Sequence, residues 1–129
     1  MKCAALTGIS PSIIAELKGG KARTLELYSA HNIITLTRTT PGECIFMTWV
    51  NEEDLAAGDP GIMVELLVLS ISMKRVEIVN PLFIEEHERM SARIKVQFRG
   101  TTIARGVDER KWGDPTTVEV IRSACYRAG

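Results

Sequence analysis

The sequence predicts an α+β fold in a single domain, residues 1–129, built on a strongly bent, mostly antiparallel sheet or a small open β-barrel with about three flanking helices. Three observations predict this fold. Several segments alternate apolar and polar residues, which is the period of a half-buried strand. Glycine and proline turns separate these segments at short intervals, as in antiparallel hairpins. Serine or aspartate followed by proline begins two amphipathic segments, as in the first turn of a helix.

The first half of the chain is expected to form a strand, a helix and three further strands. Residues 4–9 are apolar, and Ser10-Pro11 then begins a helix that Gly19-Gly20 ends. Because this helix is too short to be stable alone, it must pack on a sheet. The three further strands are expected around Leu25 and Leu27, around Ile34 and Leu36, and over residues 44–50, with a turn at Pro41-Gly42.

The second half is expected to begin with a long strand and to end with a helix. Asp59-Pro60-Gly61 has the residues of a type II turn, and residues 62–79 are the most strongly β-like segment of the chain. The other expected elements are a helical turn at 51–54, a helix from Asn80-Pro81 to Met90 that includes Phe83, a strand over 94–98, a turn at Gly100, a return strand through Ile103 and Val107, and a final helix from Asp114-Pro115 to Cys125.

Composition excludes several classes of protein. Lys plus Arg and Asp plus Glu are both 16, and a net charge of zero is not typical of a dedicated duplex-DNA binder. Residues 87–129 nevertheless hold 9 basic and 5 acidic side chains, which allows one basic face. Cys3, Cys44 and Cys125 are far apart, so we expect reduced core cysteines and neither a disulfide framework nor a metal site. No segment resembles a signal peptide or a membrane span, so we expect a cytoplasmic protein, and nothing indicates a cofactor.

The stretch KGGK, residues 18–21, raises the question of whether Lys21 is a functional residue. It is not a P-loop, because Ala15 and Ala22 stand where glycine and serine or threonine are needed. The pattern Gly19-x-Lys21-x-x-Thr24, after a short helix and at the start of a strand, resembles the signature of the ASCH domains, a branch of the PUA-like β-barrels. The alternative is a capping lysine after a glycine helix stop.

The ASCH resemblance implies a cleft that binds RNA or a nucleotide-like ligand, with Lys21 as a phosphate contact and Thr24 as a hydroxyl contact. Some small ASCH members are amidohydrolases, which implies Thr24 as nucleophile, Lys21 as base, and Glu65 as the candidate for the family's glutamate. The arginine that usually ends the family's motif is absent between Thr24 and Tyr28. Carbonyl dipoles at a helix C-terminus favour charged lysine, so Lys21 suits binding better than base catalysis.

Over roughly residues 22–78, the chain also resembles a group of small archaeal proteins that share a domain of unknown function. The stretches that carry this resemblance are ARTLELYSAHNIITL, PGECIFMTWV, DLAAGDPGIMVEL and SMKRVEI. This second resemblance implies a family but no activity.

Basic residues near the end of the chain are further candidates for a binding surface. In the predicted hairpin, Arg93, Lys95 and Arg99 would share a sheet face with Arg105 on the facing strand. Four cations on one face form either a nucleic-acid groove or an ordinary solvated surface.

Two tryptophans and two histidines complete the list of candidates. Trp49 and Trp112 lie at the ends of the periodic patterns or outside them, where they could stack on a ligand, pack in the core or contact a second copy. His31 and His87 have no second ligand at metal spacing, so each is expected to be a surface or hydrogen-bonded histidine.

Three functions are consistent with these residues. The leading one is binding of RNA or a nucleotide-like ligand, with Lys21, Thr24 and Glu26 at the cleft and the four cations as an electrostatic platform. The second is an ASCH-type amidohydrolase acting on an acylated nucleobase or nucleoside, although the sequence favours a protein that is not an enzyme. The third is a structural or interaction module that forms a homodimer through Trp49 or the edge of the long strand.

Overall fold

The computed structural model describes residues 2–51, 54–55, 58–79, 82, 84–106 and 114–122, which form six strands and two helices. The strands are β1 (Lys2–Leu6), β2 (Arg23–Leu27), β3 (Cys44–Met47), β4 (Asp59–Val79), β5 (Ile84–Gly106) and β6 (Thr117–Arg122). The helices are α1 (Pro11–Leu17) and α2 (Ala30–Leu36). Each helix has seven residues, and among the described residues no helix has the length and apolarity that crossing a membrane requires.

All six strands belong to one mixed sheet in the order β2-β5-β4-β3-β1-β6. β1 and β3 are parallel, and the other pairs are antiparallel. β6 pairs with β1 and also with the end of β5, so the sheet curls back on itself. It is not a closed barrel, because β2 and the outer half of the β4–β5 hairpin extend beyond these pairings. The predicted α+β class and the mostly antiparallel sheet are confirmed, with two described helices where about three are expected.

Hydrophobic residues are buried on both faces of the sheet. The larger cluster lies between the sheet and the helices, which contribute Leu17 from α1 and Leu36 from α2. The smaller cluster lies on the other face and includes Phe46. Since Phe46 and its neighbour Met47 belong to different clusters, β3 is buried on both faces, as expected of a central strand.

The first helix and the long strand are confirmed in their main features. Pro11 occupies the first turn of α1, and the helix ends before Gly19, as the cap and stop signals predict. β4 extends through all of residues 62–79, and β5 contains the strand expected over 94–98. In the expected turn at 51–54, Asp54 donates its N–H to the carbonyl of Asn51 at 3.0 Å, and residues 52 and 53 lie outside the described residues.

The segment around Ile34 and Leu36, expected to be a strand, is helix α2. Ile33 and Leu36, three residues apart, are both buried in the larger cluster. Asn32 is 3% exposed and joins α2 to the end of β1, because its carboxamide accepts the N–H of Thr7 at 3.0 Å and donates to the carbonyl of Thr7 at 2.9 Å. Packing and this pair of hydrogen bonds override the β propensity of the consecutive β-branched residues.

β4 and β5 form one long hairpin, which corrects three of the sequence predictions. Asp59-Pro60-Gly61 is the start of β4 and not a turn. Residues 84–90, expected to be helical, belong to β5, while Asn80-Pro81 and Phe83 lie outside the described residues. Gly100 is not a turn but lies within β5 at a register shift. Ladder pairing between two long strands satisfies backbone groups that local sequence signals assign to turns and a helix.

The helix expected from Asp114-Pro115 onward is instead strand β6. Val118 and Val120 are buried in the smaller cluster, and the strand pairs with both β1 and β5. Val107 and Cys125, which belong to the expected return strand and final helix, lie outside the described residues. A cap residue followed by proline therefore marks the start of a strand here, because an uncovered sheet edge is available for pairing.

Candidate functional site

Strands β2 and β5 bring four of the predicted site residues to one face of the sheet. Thr24 lies opposite Lys95, and Glu26 lies opposite Arg93. Residues paired directly across two strands project from the same face. The residue pair of β2 and β5 that lies between these two pairs is buried in the larger cluster. The four residues therefore project from the opposite face, away from the helices. We call the surface formed by Thr24, Glu26, Arg93 and Lys95 the Thr24 face.

Carboxylates neutralise three of the four cations that the sequence predicts as a platform. Such partly exposed ion pairs contribute little to stability, but they lower the positive potential of the surface. Lys95 is the remaining cation, and it has no ion partner within the part of the chain that the structure describes. The ion pairs are Arg93–Glu26 at an N–O distance of 3.8 Å, Arg99–Glu65 at 2.8 Å and Arg105–Glu119 at 3.2 Å.

Arg105 is not part of the Thr24 face. It lies on the same strand as Arg93, so its expected position on a facing strand is wrong. An extended strand advances about 3.3 Å per residue, which puts Arg105 roughly 33 Å along β5 from Lys95. It lies opposite Glu119 of β6, at the other end of the hairpin. The four cations therefore do not form one patch.

The loop that carries Lys21 reaches the sheet beside the Thr24 face. Gly20 has a φ of 92°, and its carbonyl accepts a hydrogen bond from the side chain of Gln97 at 3.5 Å. Lys21 and Thr24 are both exposed. Glu65 lies opposite Gln97 on β4, so β5 separates it from Thr24. Two strand spacings and two residues of offset put the Cα atoms of Thr24 and Glu65 about 12 Å apart.

A separate pocket of about 310 Å³ opens beside the end of α1. Two of its lining residues, Trp49 and Ile103, are large hydrophobic side chains that remain 42% and 46% exposed. We call it the Trp49 pocket. Its lining residues are Lys18, Trp49, Pro60, Gly61, Thr101, Thr102 and Ile103.

A bulge in β5 determines which face of the sheet the Trp49 pocket occupies. Arg99 is an extra residue on β5 at the register shift between Met63 and Val64. Beyond this bulge, Thr101 lies opposite Ile62, a member of the larger cluster, so Thr101 projects toward the helices. Before the bulge, the odd-numbered residues of β5, such as Lys95, project from the Thr24 face instead. The Trp49 pocket and the Thr24 face therefore lie on opposite faces of the sheet.

The Trp49 pocket combines an aromatic surface with a single cation. Lys18 caps the C-terminus of α1 and has no ion partner among the described residues, and none of the lining residues is acidic. Gly61 has no room for a side chain, because a Cβ would lie 2.5 Å from the ring of Phe46. An indole beside an ammonium group can hold a small planar anion, with the ring of the ligand stacked on Trp49 and its charge near Lys18.

The two cysteines that the structure describes do not add a reactive group to either surface. Cys3 is a free, half-buried thiol, and burial raises its pKa from 9.0 to about 11, so it is protonated at neutral pH. Cys44 is disulfide-bonded, so the expectation that the cysteines are all reduced is wrong for this residue. Cys125 lies outside the described residues.

The other candidates do not join these surfaces within the described part of the chain. His31 is half-buried on α2, and the side chain of His87 is not among those described. Trp112 also lies outside the described residues. Across the described ranges, no three His, Cys, Asp or Glu residues are grouped so that they could hold a metal ion.

Trp49 is visible in the sequence as a candidate stacking surface, but the residues around it are not. Lys18 and Thr101 carry no signal of a site, and Ile103 has the pattern of an ordinary member of a hairpin. Only the bulge at Arg99 and the position of α1 bring these segments to one pocket. An exposed aromatic at the end of a strand is the one signal that the sequence itself offers.

Comparison with known proteins identifies the family. The family model described as "Protein of unknown function (DUF473)" matches residues 1–118, so the chain belongs to that family. No curated protein and no solved structure matched the chain.

Proposed function

We propose that this member of the DUF473 family binds a nucleotide-like ligand, with the base stacked on Trp49 and the phosphate near Lys18. The observation that carries the proposal is the Trp49 pocket, which an exposed indole and a lysine both line and in which none of the lining residues is acidic. The PUA-like resemblance of the Gly19-x-Lys21-x-x-Thr24 pattern supports the same ligand class, although Thr24 itself projects from the opposite face of the sheet. The proposal includes the cytoplasmic location expected from the sequence, which cell fractionation tests.

The size and chemistry of the pocket support a mononucleotide. Pockets for small ligands span roughly 300–1,000 Å³, and this one, at about 310 Å³, would hold a base with part of its sugar. Stacking of a base on an aromatic side chain contributes about 1–3 kcal/mol. A hydrogen bond between the Lys18 ammonium and a phosphate contributes about 1.5–3 kcal/mol. After the entropic cost of binding, we expect a dissociation constant on the order of 10–1,000 μM.

Isothermal titration calorimetry with the four nucleoside monophosphates tests this proposal. Trp49→Ala should weaken binding by about 5- to 150-fold, since it removes the stacking surface. Lys18→Ala should weaken binding of the monophosphate but not of the uncharged nucleoside, because only the phosphate contacts the ammonium. Lys2→Ala is the matched control, an exposed lysine on β1 outside the pocket. If the wild-type protein binds none of the four at millimolar concentration, the proposal is wrong.

RNA binding is the wider form of the proposal and would use the Thr24 face. Support comes from Lys95, the platform cation without an ion partner among the described residues, and from the nearby loop of Lys21. With one or two such cations, the affinity for a single strand should fall with salt at a log–log slope of only about −0.7 to −1.4. Fluorescence anisotropy of a labelled oligoribonucleotide measures this slope, and Lys95→Ala should reduce it while Lys2→Ala does not.

A hydrolase acting on an acylated nucleobase or nucleoside is the second candidate. The observation that favours it is the direct pairing of Thr24 with Lys95, which puts an exposed hydroxyl and a lysine side chain on the same face of two neighbouring strands. The predicted partner Glu65 is held by Arg99 at 2.8 Å and lies across β5 from Thr24. If this candidate is correct, the wild-type protein hydrolyses N-acyl nucleosides and Thr24→Val does not. The candidate is wrong if Thr24→Val keeps this activity or if the wild-type protein lacks it.

A further inference from the structure

The outer half of the β4–β5 hairpin extends beyond the rest of the sheet. On the β4 side, β3 and the residues that precede it bond no further than Leu66. On the β5 side, β2 pairs only with residues 92–96. β4 and β5 nevertheless continue to pair with each other over the rest of their length. We call residues 67–79 and 84–91 the arm. Among the described residues, no strand pairs with the β4 edge of the arm.

The arm carries apolar side chains that the described part of the protein leaves exposed. Ile71 lies opposite Ala92, and both belong to the larger cluster or pack against it. The next pair on this face, Met73 and Met90, is 57% and 48% exposed. The apolar stripe of the core therefore continues into solvent by one residue pair, beyond which this face carries charged pairs. Among the described side chains, five of the eight exposed large hydrophobic ones lie on the arm or at its tip: Val68, Met73, Val79, Leu82 and Met90.

An arm of this kind is not stabilised by its own contacts alone. A two-stranded hairpin is at best marginally stable in water, and a long exposed edge is a template for pairing with another strand. Natural edge strands are commonly protected by proline, by charged side chains or by a covering segment. Residues 67–79 contain no proline, and residues 67–73 carry no charged side chain. The edge therefore keeps the N–H and C=O groups that an added strand needs.

We infer that two copies of this chain pair through the β4 edges of their arms and form a homodimer with a continuous four-stranded ribbon. Antiparallel pairing about a two-fold axis lets one surface serve both partners, as in most homodimers. Residues 67–91 hold three basic and four acidic side chains, so the arm does not favour a polyanion such as nucleic acid. A second copy supplies both a matching edge and a matching apolar stripe.

The dimensions of the arm set the strength expected of this dimer. A strand of 13 residues is about 43 Å long and a sheet is about 10 Å thick, so the edge presents roughly 430 Å² per copy. A standard interface buries about 800 Å² per partner, and smaller ones are typically transient. We therefore expect a dimer that dissociates in the range of about 1–100 μM, and a molecular mass that depends on protein concentration.

Sedimentation equilibrium over a range of concentrations tests the dimer. The wild-type mass should rise from the 14.3 kDa of one chain toward twice that value. The double variant Val68→Lys, Met73→Lys places on the arm the charges that natural edges use for protection, and should raise the dissociation constant at least about tenfold. Ile103→Lys is the matched control, because it changes an equally apolar, 46% exposed residue at the other end of β5 and should leave the dimer intact.

Hydrogen–deuterium exchange on the unmodified protein gives a second measurement that does not depend on variants. Alternate amides of residues 67–79 should exchange slowly at high protein concentration and faster on dilution, while amides of residues 92–96, which β2 covers, stay unchanged. A single-chain mass at protein concentrations up to about 1 mM overturns the inference. The inference is also wrong if Ile103→Lys dissociates the dimer while the arm variant leaves it intact. An assembly that grows beyond two chains contradicts it as well.

Discussion

Replacing Asn32 by alanine is expected to destabilise the protein more than any other single loss of a polar side chain on α2. The carboxamide of Asn32 makes both hydrogen bonds that join this helix to Thr7, at 3.0 and 2.9 Å, and it is 3% exposed. Asn32→Ala leaves the N–H and the carbonyl of Thr7 without this partner. The change therefore tests directly whether residues 30–36 are a helix packed on β1, where the sequence predicts a strand.

The magnitude follows from two buried groups that lose their partners. An unsatisfied buried donor or acceptor costs about 1–3 kcal/mol, so two of them cost about 2–6 kcal/mol. Some of this cost is recovered if water enters the space that the carboxamide leaves. We therefore expect the free energy of unfolding to fall by about 2–4 kcal/mol. With a urea dependence of about 2 kcal/mol per molar, the midpoint shifts by roughly 1–2 M.

Urea denaturation followed by circular dichroism measures this change. Asn51→Ala is the matched control, because Asn51 is exposed and its alanine variant should lose less than about 0.5 kcal/mol. If the two variants lose equal stability, Asn32 does not hold α2 on β1, and the assignment of this segment is refuted.

Three further predictions concern the core and the surface. Gly61→Ala should lower the free energy of unfolding by about 1–3 kcal/mol, because its Cβ would lie 2.5 Å from the ring of Phe46; thermal melts measure it. Burial raises the pKa of Cys3 from 9.0 to about 11, so stability should fall from pH 9 to pH 11 by up to about 2 kcal/mol more than in Cys3→Ala, as denaturation at each pH would show. A double-mutant cycle on Arg99 and Glu65 should give a coupling of about 0.5–1 kcal/mol that 1 M salt reduces; their side chains are 35% and 30% exposed.

Strong local signals account for the parts of the fold that the sequence predicts correctly. Pro11 and Gly19-Gly20 bound α1 because a proline in the first turn and a glycine stop act within one turn of the chain. Residues 62–79 contain enough apolar and β-branched residues on both faces to be read as a buried strand. These signals need no knowledge of distant partners, so they survive in the folded protein.

Long-range pairing accounts for the parts that the sequence does not predict. Residues 84–90 carry helix-like spacing, but β4 offers them a complete ladder of backbone hydrogen bonds. The same holds for Thr117–Arg122, which completes the sheet between β1 and β5. In both segments the strand conformation depends on pairing partners that lie tens of residues away in the sequence. A window of a dozen residues does not contain these partners.

The candidate site divides in the same way. The Gly19-x-Lys21-x-x-Thr24 pattern and the basic residues of β5 are visible in the sequence, and the structure brings Thr24 and Lys95 together. Which arginines form ion pairs with carboxylates, and how far Arg105 lies from the other cations, depend on the strand register, which the sequence leaves open. The Trp49 pocket depends on a bulge at one extra residue, and such a bulge has no sequence signature here.

The most direct test of the central claim is an NMR titration of the Trp49 indole. The Nε1–H resonance of Trp49, assigned from its loss in Trp49→Phe, is followed as adenosine monophosphate is added to a ¹⁵N-labelled sample. The ring current of a stacked base should move this resonance in a saturable way, with the backbone amide of Lys18 moving in parallel. If adenosine monophosphate binds but the resonances of Trp49 and Lys18 stay fixed, the Trp49 pocket is not the ligand site.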